Sequence, residues 1–240
     1  MKSHIIMLIF LITYFPIFGQ VDSEIPLHKN EAKLHLTDLL NGRYTFGYER
    51  AVGNHIGIST SFGYKSKEGL LRLSGLDTDQ FKTGDLTYSG FRVVPEFRYY
   101  LNEHNKNMLH GFYFGAYITF VNMTSEFKGL YTNENGEFPF QYDVKINTNS
   151  IGLMVGYKLL LGKRFYLDFT IAGPGAGNYN FKFTEIVAAP EEFWFDLNDA
   201  LELISIFDLI NADFDFSPDK KSDSLILPSF RYGITLGYSF

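Results

Sequence analysis

Hydrophobic and polar residues alternate strictly at the C-terminal end of the chain. From Phe230 onward every second position is apolar or aromatic, and the intervening positions are small or polar; the apolar set is Phe230, Tyr232, Ile234, Leu236, Tyr238 and Phe240. A period of two is typical of a β-strand with one apolar face and one polar or tightly packed face. Residues 228–240 are therefore predicted to form a strand.

The same alternation recurs in seven earlier segments: residues 33–40, 43–52, 55–65, 86–101, 109–127, 141–161 and 164–183. Asn41-Gly42 and Gly53-Asn54 are strong signals for tight turns between strands. The total of eight is even, as in bacterial membrane barrels. If residues 33–52 formed one continuous strand, the count would be seven and this scheme would fail.

The connections between these segments alternate in length. Those after the second, fourth and sixth strands are short, and those after the third, fifth and seventh are long. Barrels of the outer membrane have short periplasmic turns and longer extracellular loops. The predicted fold is all-β: an eight-stranded antiparallel up-and-down transmembrane β-barrel at residues 33–240, with one helical extracellular loop. The apolar face of the strands is predicted to point toward lipid.

Residues 1–20 have the layout of a signal peptide, with Lys2 before an apolar run and Gly19-Gln20 as a cleavage site. A membrane anchor is the alternative, but the run is shorter than the roughly 20 residues that a spanning helix needs. Residues 21–32 are predicted to be a periplasmic lead. The expected location is the bacterial outer membrane.

Composition excludes several classes of site and partner. The net charge of −6 argues against a nucleic-acid partner. The absence of cysteine excludes disulfides, thiolate metal sites and a cysteine nucleophile. No cofactor and no metal are predicted. The expected partners are outer-membrane lipid and the barrel assembly machinery, which would bind the strand ending at Phe240.

The polar faces of the predicted strands carry eight charged residues: Arg43, Glu49, Arg92, Glu96, Arg98, Lys158, Asp168 and Arg231. The interior of an eight-stranded barrel is just wide enough for side chains to fill. Charges buried there must be paired. We expect a salt-bridge network that plugs the barrel, with Glu49 paired to Arg98 or Arg92. A narrow ion path or a proton-linked site is the alternative.

Residues 184–227 form a long acidic loop before the last strand. Its middle, residues 191–210, has helical spacing of apolar positions. One interpretation is an amphipathic helix that packs on or over the barrel mouth. The other is a surface for an unknown protein partner, with apolar residues Trp194, Phe195, Leu197 and Leu201. A calcium site at Asp213, Asp215 and Asp219 lacks the glycine and spacing of a standard calcium loop.

Five fragments together resemble a small outer-membrane barrel family of Bacteroidota: GYERAV, PEFRYYL, GFYFGAY, VGYKLLLGKRF and the ending ITLGYSF. The overall form is similar to OmpA- or OmpX-type eight-stranded barrels. The resemblance covers residues 33–183 and 229–240. It implies fold and location, and it implies no activity.

Three functional hypotheses follow. The first is an outer-membrane barrel with a structural or surface-interaction role and no catalysis. The second is a lipid-modifying barrel enzyme, which would need a general base near the extracellular rim. The predicted topology places His35 and the other histidines of the mature chain away from that rim. The third is a soluble exported barrel that binds a small apolar ligand, which requires the apolar face to point inward.

Overall fold

A computed structural model describes residues 28–67, 75–101, 109–202 and 213–240. These parts contain β1 (Asn30–His35), α1 (Leu36–Leu40), β2 (Arg43–Val52), β3 (Ile56–Lys65), β4 (Phe81–Thr83), β5 (Tyr88–Tyr100), β6 (Gly111–Asn133), β7 (Gly136–Leu160), β8 (Phe165–Val187), α2 (Phe193–Glu202) and β9 (Ser222–Ser239). The predicted signal peptide lies outside the described residues. Neither described helix has the length and apolar character needed to cross a membrane.

Eight strands close into a ring in the order β1-β2-β3-β5-β6-β7-β8-β9, and every neighbouring pair is antiparallel. The ring closes where β9 pairs with β1, from Glu31 opposite Ser239 to His35 opposite Thr235. Short β4 pairs with the far part of β6. The prediction of an all-β, eight-stranded antiparallel ring is confirmed.

Over most of the ring, the apolar face of the strands points outward. Along β2, Tyr44 and Phe46 are 57% and 62% exposed, whereas Thr45 and Glu49 are fully buried. The other ring strands also have exposed apolar residues on the outer face and buried polar residues on the inner face, since successive side chains of a strand point to opposite faces. The polar face is therefore the interior.

The start of the barrel differs from the prediction. β1 begins at Asn30, inside the predicted periplasmic lead, and ends at His35. Residues 36–40 form helix α1 and not the second half of a strand. The neighbouring leucines Leu39 and Leu40 break the alternation, and a turn with Gly42 at φ 66° leads into β2. Helix α1 thus fills the barrel wall between β2 and β9.

Two predicted loops contribute long strand extensions. Residues 128–139 form the tip of the β6–β7 hairpin, which turns at Glu134 and Asn135. Both ends of the acidic loop are also strand, because β8 continues to Val187 and β9 begins at Ser222. In these extensions the two faces exchange character: aromatic residues point inward and polar residues point outward. The exchange explains why the outward apolar pattern did not reveal them.

Helix α2 covers the inner face of these extensions and closes one end of the barrel. We call β4, the extensions of β6 to β9, α2 and residues 213–216 the cap. Its core contains Phe81, Phe127, Tyr131, Phe140, Tyr142, Val144, Phe183, Phe193, Trp194, Leu197, Ala200, Phe214, Phe216 and Leu227. Helix α2 is part of the predicted helix at residues 191–210; its residues from 203 onward lie outside the described residues. The predicted amphipathic helix over the barrel mouth matches this arrangement.

Candidate functional site

The barrel interior contains a buried set of charged side chains, which we call the deep layer. Its members come from the inner faces of β1, β2, β5, β7 and β8, and they are Glu31, Lys33, Glu49, Glu96, Arg98, Lys158 and Asp168. No side chain of this set is more than 2% exposed. Charges this deeply buried are tolerated only when they are paired and hydrogen-bonded.

Glu49 is the centre of the deep layer. Its Oε1 accepts a hydrogen bond of 2.6 Å from the Tyr100 hydroxyl. Its Oε2 accepts a hydrogen bond from Lys33 Nζ and lies 3.4 Å from Arg98 Nη1 and 3.4 Å from Lys158 Nζ. This single carboxylate therefore offsets part of the positive charge of three buried cations.

Arg98 joins the remaining carboxylates. Its Nε and Nη2 donate to Glu96 Oε2 at 2.9 and 2.7 Å, and its Nη1 donates to Asp168 Oδ2 at 2.5 Å. The Tyr113 hydroxyl donates to Asp168 Oδ1 at 2.8 Å, and the Tyr113 ring lies under the Arg98 guanidinium at 4.6 Å. The Arg98 guanidinium therefore binds the carboxylates through its N–H groups and the Tyr113 ring through its planar face.

A second set of charges lies nearer the cap, and we call it the upper layer: Asp38, Arg43, Lys65, Arg92 and Arg231. Asp38 comes from α1; its Oδ2 accepts a 2.5 Å hydrogen bond from Arg92 Nη2, and its Oδ1 lies 3.6 Å from Arg43 Nη1. Arg231 Nη2 donates to Glu96 Oε1 at 2.7 Å and so links the two layers.

All eight sequence-predicted charges lie on the inner face and have a partner of opposite charge. The structure brings Glu49 and Arg98 together, whereas Arg92 pairs with Asp38. Four members were missed: Glu31, Lys33, Asp38 and Lys65. Lys33 and Lys65 are in phase with the polar faces of their strands, so alternation alone could have found them. Glu31 was hidden by the late predicted start of β1, and Asp38 by the unpredicted helix.

Tyrosine rings fill the space between the charges by packing against glycines. A Cβ added at Gly156 would lie 2.2 Å from the Tyr113 hydroxyl oxygen and 2.6 Å from the Phe169 carbonyl oxygen. A Cβ added at Gly237 would overlap the Tyr166 ring, which also lies 4.6 Å from Lys158 Nζ. These glycines are required because the rings leave no room for a side chain.

Gly156→Ala is expected to lower the free energy of unfolding by about 1–3 kcal/mol, since the Phe169 carbonyl is backbone and cannot move aside. Gly84→Ala is the control, because a Cβ there would meet nothing within 4 Å. Urea unfolding followed by circular dichroism measures both variants. Equal stability of the two variants would contradict the close packing described above.

The apolar-ligand hypothesis does not fit this interior, because the inner face is charged and the apolar face points outward. His35 also lies elsewhere than expected: it is the inward residue after Lys33 on β1, and its Nδ1 lies 3.3 Å from Thr235 Oγ1. In the part of the chain that the structure describes, no three His, Asp or Glu side chains are grouped to hold a metal ion.

The predicted partner-binding residues are mostly core residues of the cap. Trp194 is 2% exposed and Leu197 is fully buried, and Leu201 packs against the same core. Only Phe195 is an exposed member, at 60%. Helix α2 thus turns Trp194 and Leu197 toward the strands and leaves Phe195 facing outward.

A comparison with protein-family models matches residues 7–189 to a family described as protein of unknown function, DUF3575. The matched range includes β1 to β8 and ends before α2 and β9. Searches of curated proteins and of solved structures gave no match. Since the family match covers well over half of the chain, this protein belongs to the DUF3575 family.

Proposed function

We propose that this protein is an outer-membrane β-barrel with a structural or surface-interaction role, a plugged interior and no catalysis. Its form in this proposal is that of a small OmpA- or OmpX-type barrel of Bacteroidota. The observation that carries the proposal is the outward apolar surface of a ring whose interior is charged. In water such a surface would be unfavourable, whereas lipid tails match it.

The apolar surface forms a belt with a defined border. Along β7 and the residue that follows it, the outward residues from Ile151 to Leu161 are mostly apolar, and Leu153 is 68% exposed. Eleven residues match the roughly 9–11 that a tilted strand needs to cross a bilayer. Asn122, Asn147 and Asn180 are neighbours on β6, β7 and β8 at the cap side of this belt. Beyond them the outward residues are mostly polar.

The deep layer supports a closed barrel and not a pore. Its charges are paired across five strands, and tyrosine rings occupy the space between them. An ion crossing the barrel would have to separate these pairs, at a cost of several kcal/mol for each buried charge.

Loop lengths support an orientation with the cap outside the cell. Asn30 and Phe240 pair at the end opposite the cap. The connection of residues 53–55 and that of residues 161–164 are short and lie at that same end. Short turns and both chain ends are periplasmic in bacterial barrels. The partners in this proposal are membrane lipid, the assembly machinery at the strand ending in Phe240, and a protein that contacts the cap.

Leu153→Arg is expected to lower the free energy of unfolding of the protein in lipid vesicles by about 1–3 kcal/mol, because it places a charge inside the belt, between its border and its middle. Thr184→Arg is the matched control, since Thr184 is exposed on the cap side of the belt and neighbours Asp143 on β7. Urea titration of the refolded protein in vesicles measures both.

Fractionation tests the location itself. The protein is expected in the detergent-soluble outer-membrane fraction, and it should migrate faster in a denaturing gel before boiling than after it. Recovery in the periplasmic fraction without detergent, together with equal stability of Leu153→Arg and Thr184→Arg, would overturn the proposal.

A further inference from the structure

The inner face of the barrel carries more positive than negative charge. Among the described residues, the two layers contain seven bases, namely Lys33, Arg43, Lys65, Arg92, Arg98, Lys158 and Arg231, against five acids, namely Glu31, Asp38, Glu49, Glu96 and Asp168. The upper layer contains four of the bases and Asp38 as its one acid, a net charge of +3, whereas the deep layer, with three bases and four acids, has a net charge of −1. A buried surplus charge is costly unless an ion of opposite sign compensates it.

Unused hydrogen-bond donors lie in the same region. Within the described residues, Arg92 Nε and Arg231 Nη1 are buried and have no partner. The hydroxyl groups of Thr119, Thr148 and Ser229 are buried and unpartnered as well. Thr119 and Thr148 are 8% and 4% exposed. Buried polar groups are normally hydrogen-bonded, so this cluster indicates that a polar ligand or water completes it.

The strand registers place these groups at neighbouring levels of the lumen: Arg92 lies opposite Val121, and Val121 lies opposite Thr148. The Arg231 guanidinium lies 4.6 Å from the centre of the Tyr117 ring, and the Tyr117 hydroxyl donates to the Gly173 carbonyl at 2.8 Å. Thr119 is the next inward residue of β6 toward the cap. The inward positions of β8 at this height are Gly173, Gly175 and Gly177, followed by Tyr179, which lies opposite Thr148.

Four members of the upper layer are partly accessible, unlike the deep layer, whereas the fifth member, Lys65, is only 3% exposed. The side chains of Asp38, Arg43, Arg92 and Arg231 are 13–17% exposed, against at most 2% in the deep layer. Helix α1 replaces strand in the wall next to this layer, and the Ile234 amide donates to Thr37 Oγ1 instead of to a neighbouring strand. Arg92 lies one residue from Phe91, whose β6 partner is Asn122 at the border of the belt.

We propose that the upper layer binds an oxyanion of the phosphate class, held by Arg92 and Arg231 with Arg43 and Lys65 nearby. Guanidinium groups bind phosphate oxygens in pairs, and charge-assisted hydrogen bonds are the strongest of their kind. The phosphate belongs either to a lipid headgroup at the belt border or to a free ion from the aqueous side. The site itself depends only on the barrel interior, and only the lipid-headgroup source rests on the proposed function.

Calorimetric titration of the full chain in detergent micelles with inorganic phosphate tests the site. Arg92→Gln and Arg231→Gln are each expected to weaken binding about tenfold, the equivalent of one charge-assisted hydrogen bond. Asp38→Asn is expected to strengthen binding about threefold, because it frees two guanidinium groups from a competing carboxylate. Arg50→Gln is the control, since Arg50 is exposed on the outer face of β2.

A second titration uses dioleoyl phosphatidic acid in mixed micelles, with dioleoylglycerol as its uncharged counterpart. Binding of the lipid alone assigns the site to a headgroup, and binding of inorganic phosphate assigns it to a free ion; both support the proposal. No binding of either phosphate probe, or weaker binding by Asp38→Asn, would overturn it. The opposite signs expected for Asp38→Asn and Arg92→Gln separate charge recognition from a general loss of fold.

Discussion

Glu49→Gln is expected to lower the free energy of unfolding of the barrel by about 3–5 kcal/mol, the usual cost of breaking a buried ion pair by removing one partner. Glu49 is fully buried and lies within ion-pair distance of three cations. Glutamine has the same size but carries no charge, so Lys33, Lys158 and Arg98 would share fewer carboxylates. Volume is conserved, and the loss is therefore electrostatic.

The measurement is urea unfolding in detergent micelles, followed by the gel shift between folded and boiled protein. Glu137→Gln is the control, because Glu137 is exposed on the cap hairpin. It should unfold like the unchanged protein. A stability loss below about 1 kcal/mol for Glu49→Gln would show that the network adds little, as surface ion pairs do.

Phe193→Ala is expected to lower the stability of the cap by about 3–5 kcal/mol and to leave the barrel folded, since a buried aromatic side chain leaves a cavity when truncated. The Phe193 ring is fully buried and contacts the rings of Phe81, Tyr131, Phe140 and Tyr142. It also contacts Trp194, the only tryptophan of the chain.

Trp194 fluorescence during urea titration reports the cap separately from the barrel, which the gel shift reports. Phe195→Ala is the matched control, because Phe195 is the neighbouring aromatic residue and is exposed. It is expected to change neither signal. If Phe193→Ala shifted the gel and fluorescence transitions together by the same amount, the cap and the barrel would be one cooperative unit.

The two variants address two cores of opposite character. Ion pairs and tyrosine rings hold the barrel interior together, in a lumen that is just wide enough for side chains to fill. The cap is held by aromatic packing between α2 and the strand extensions. Hydrogen bonds also join α2 to residue Phe216 of the cap: Asn198 Nδ2 donates to the Phe216 carbonyl, and Asn198 Oδ1 accepts from the Phe216 amide. In the cap, the Tyr131 hydroxyl donates to Asp196 Oδ2 at 2.5 Å. Burial raises the pKa of this hydroxyl, and the Asp196 carboxylate raises it further.

Much of the interior was predictable because alternation is a local property. The period of two assigned Arg43, Glu49 and Arg98 to the inner face without any knowledge of their partners. Their pairing was not predictable, since it depends on the stagger between strands and on residues far apart in the chain. Arg98 and Asp168, for example, meet across β5 and β8, which are not neighbours in the ring.

By itself, the sequence determined the number of barrel strands, their antiparallel order and the face on which most side chains of the barrel wall lie, because these follow from backbone geometry and turn residues. Only the tertiary structure decided the rest. Helix α1 brings Asp38 to Arg92 of β5 and Arg43 of β2, and α2 buries the aromatic face of the strand extensions that replace two predicted loops. Both outcomes depend on contacts between distant segments, and no local pattern of residues encodes those contacts.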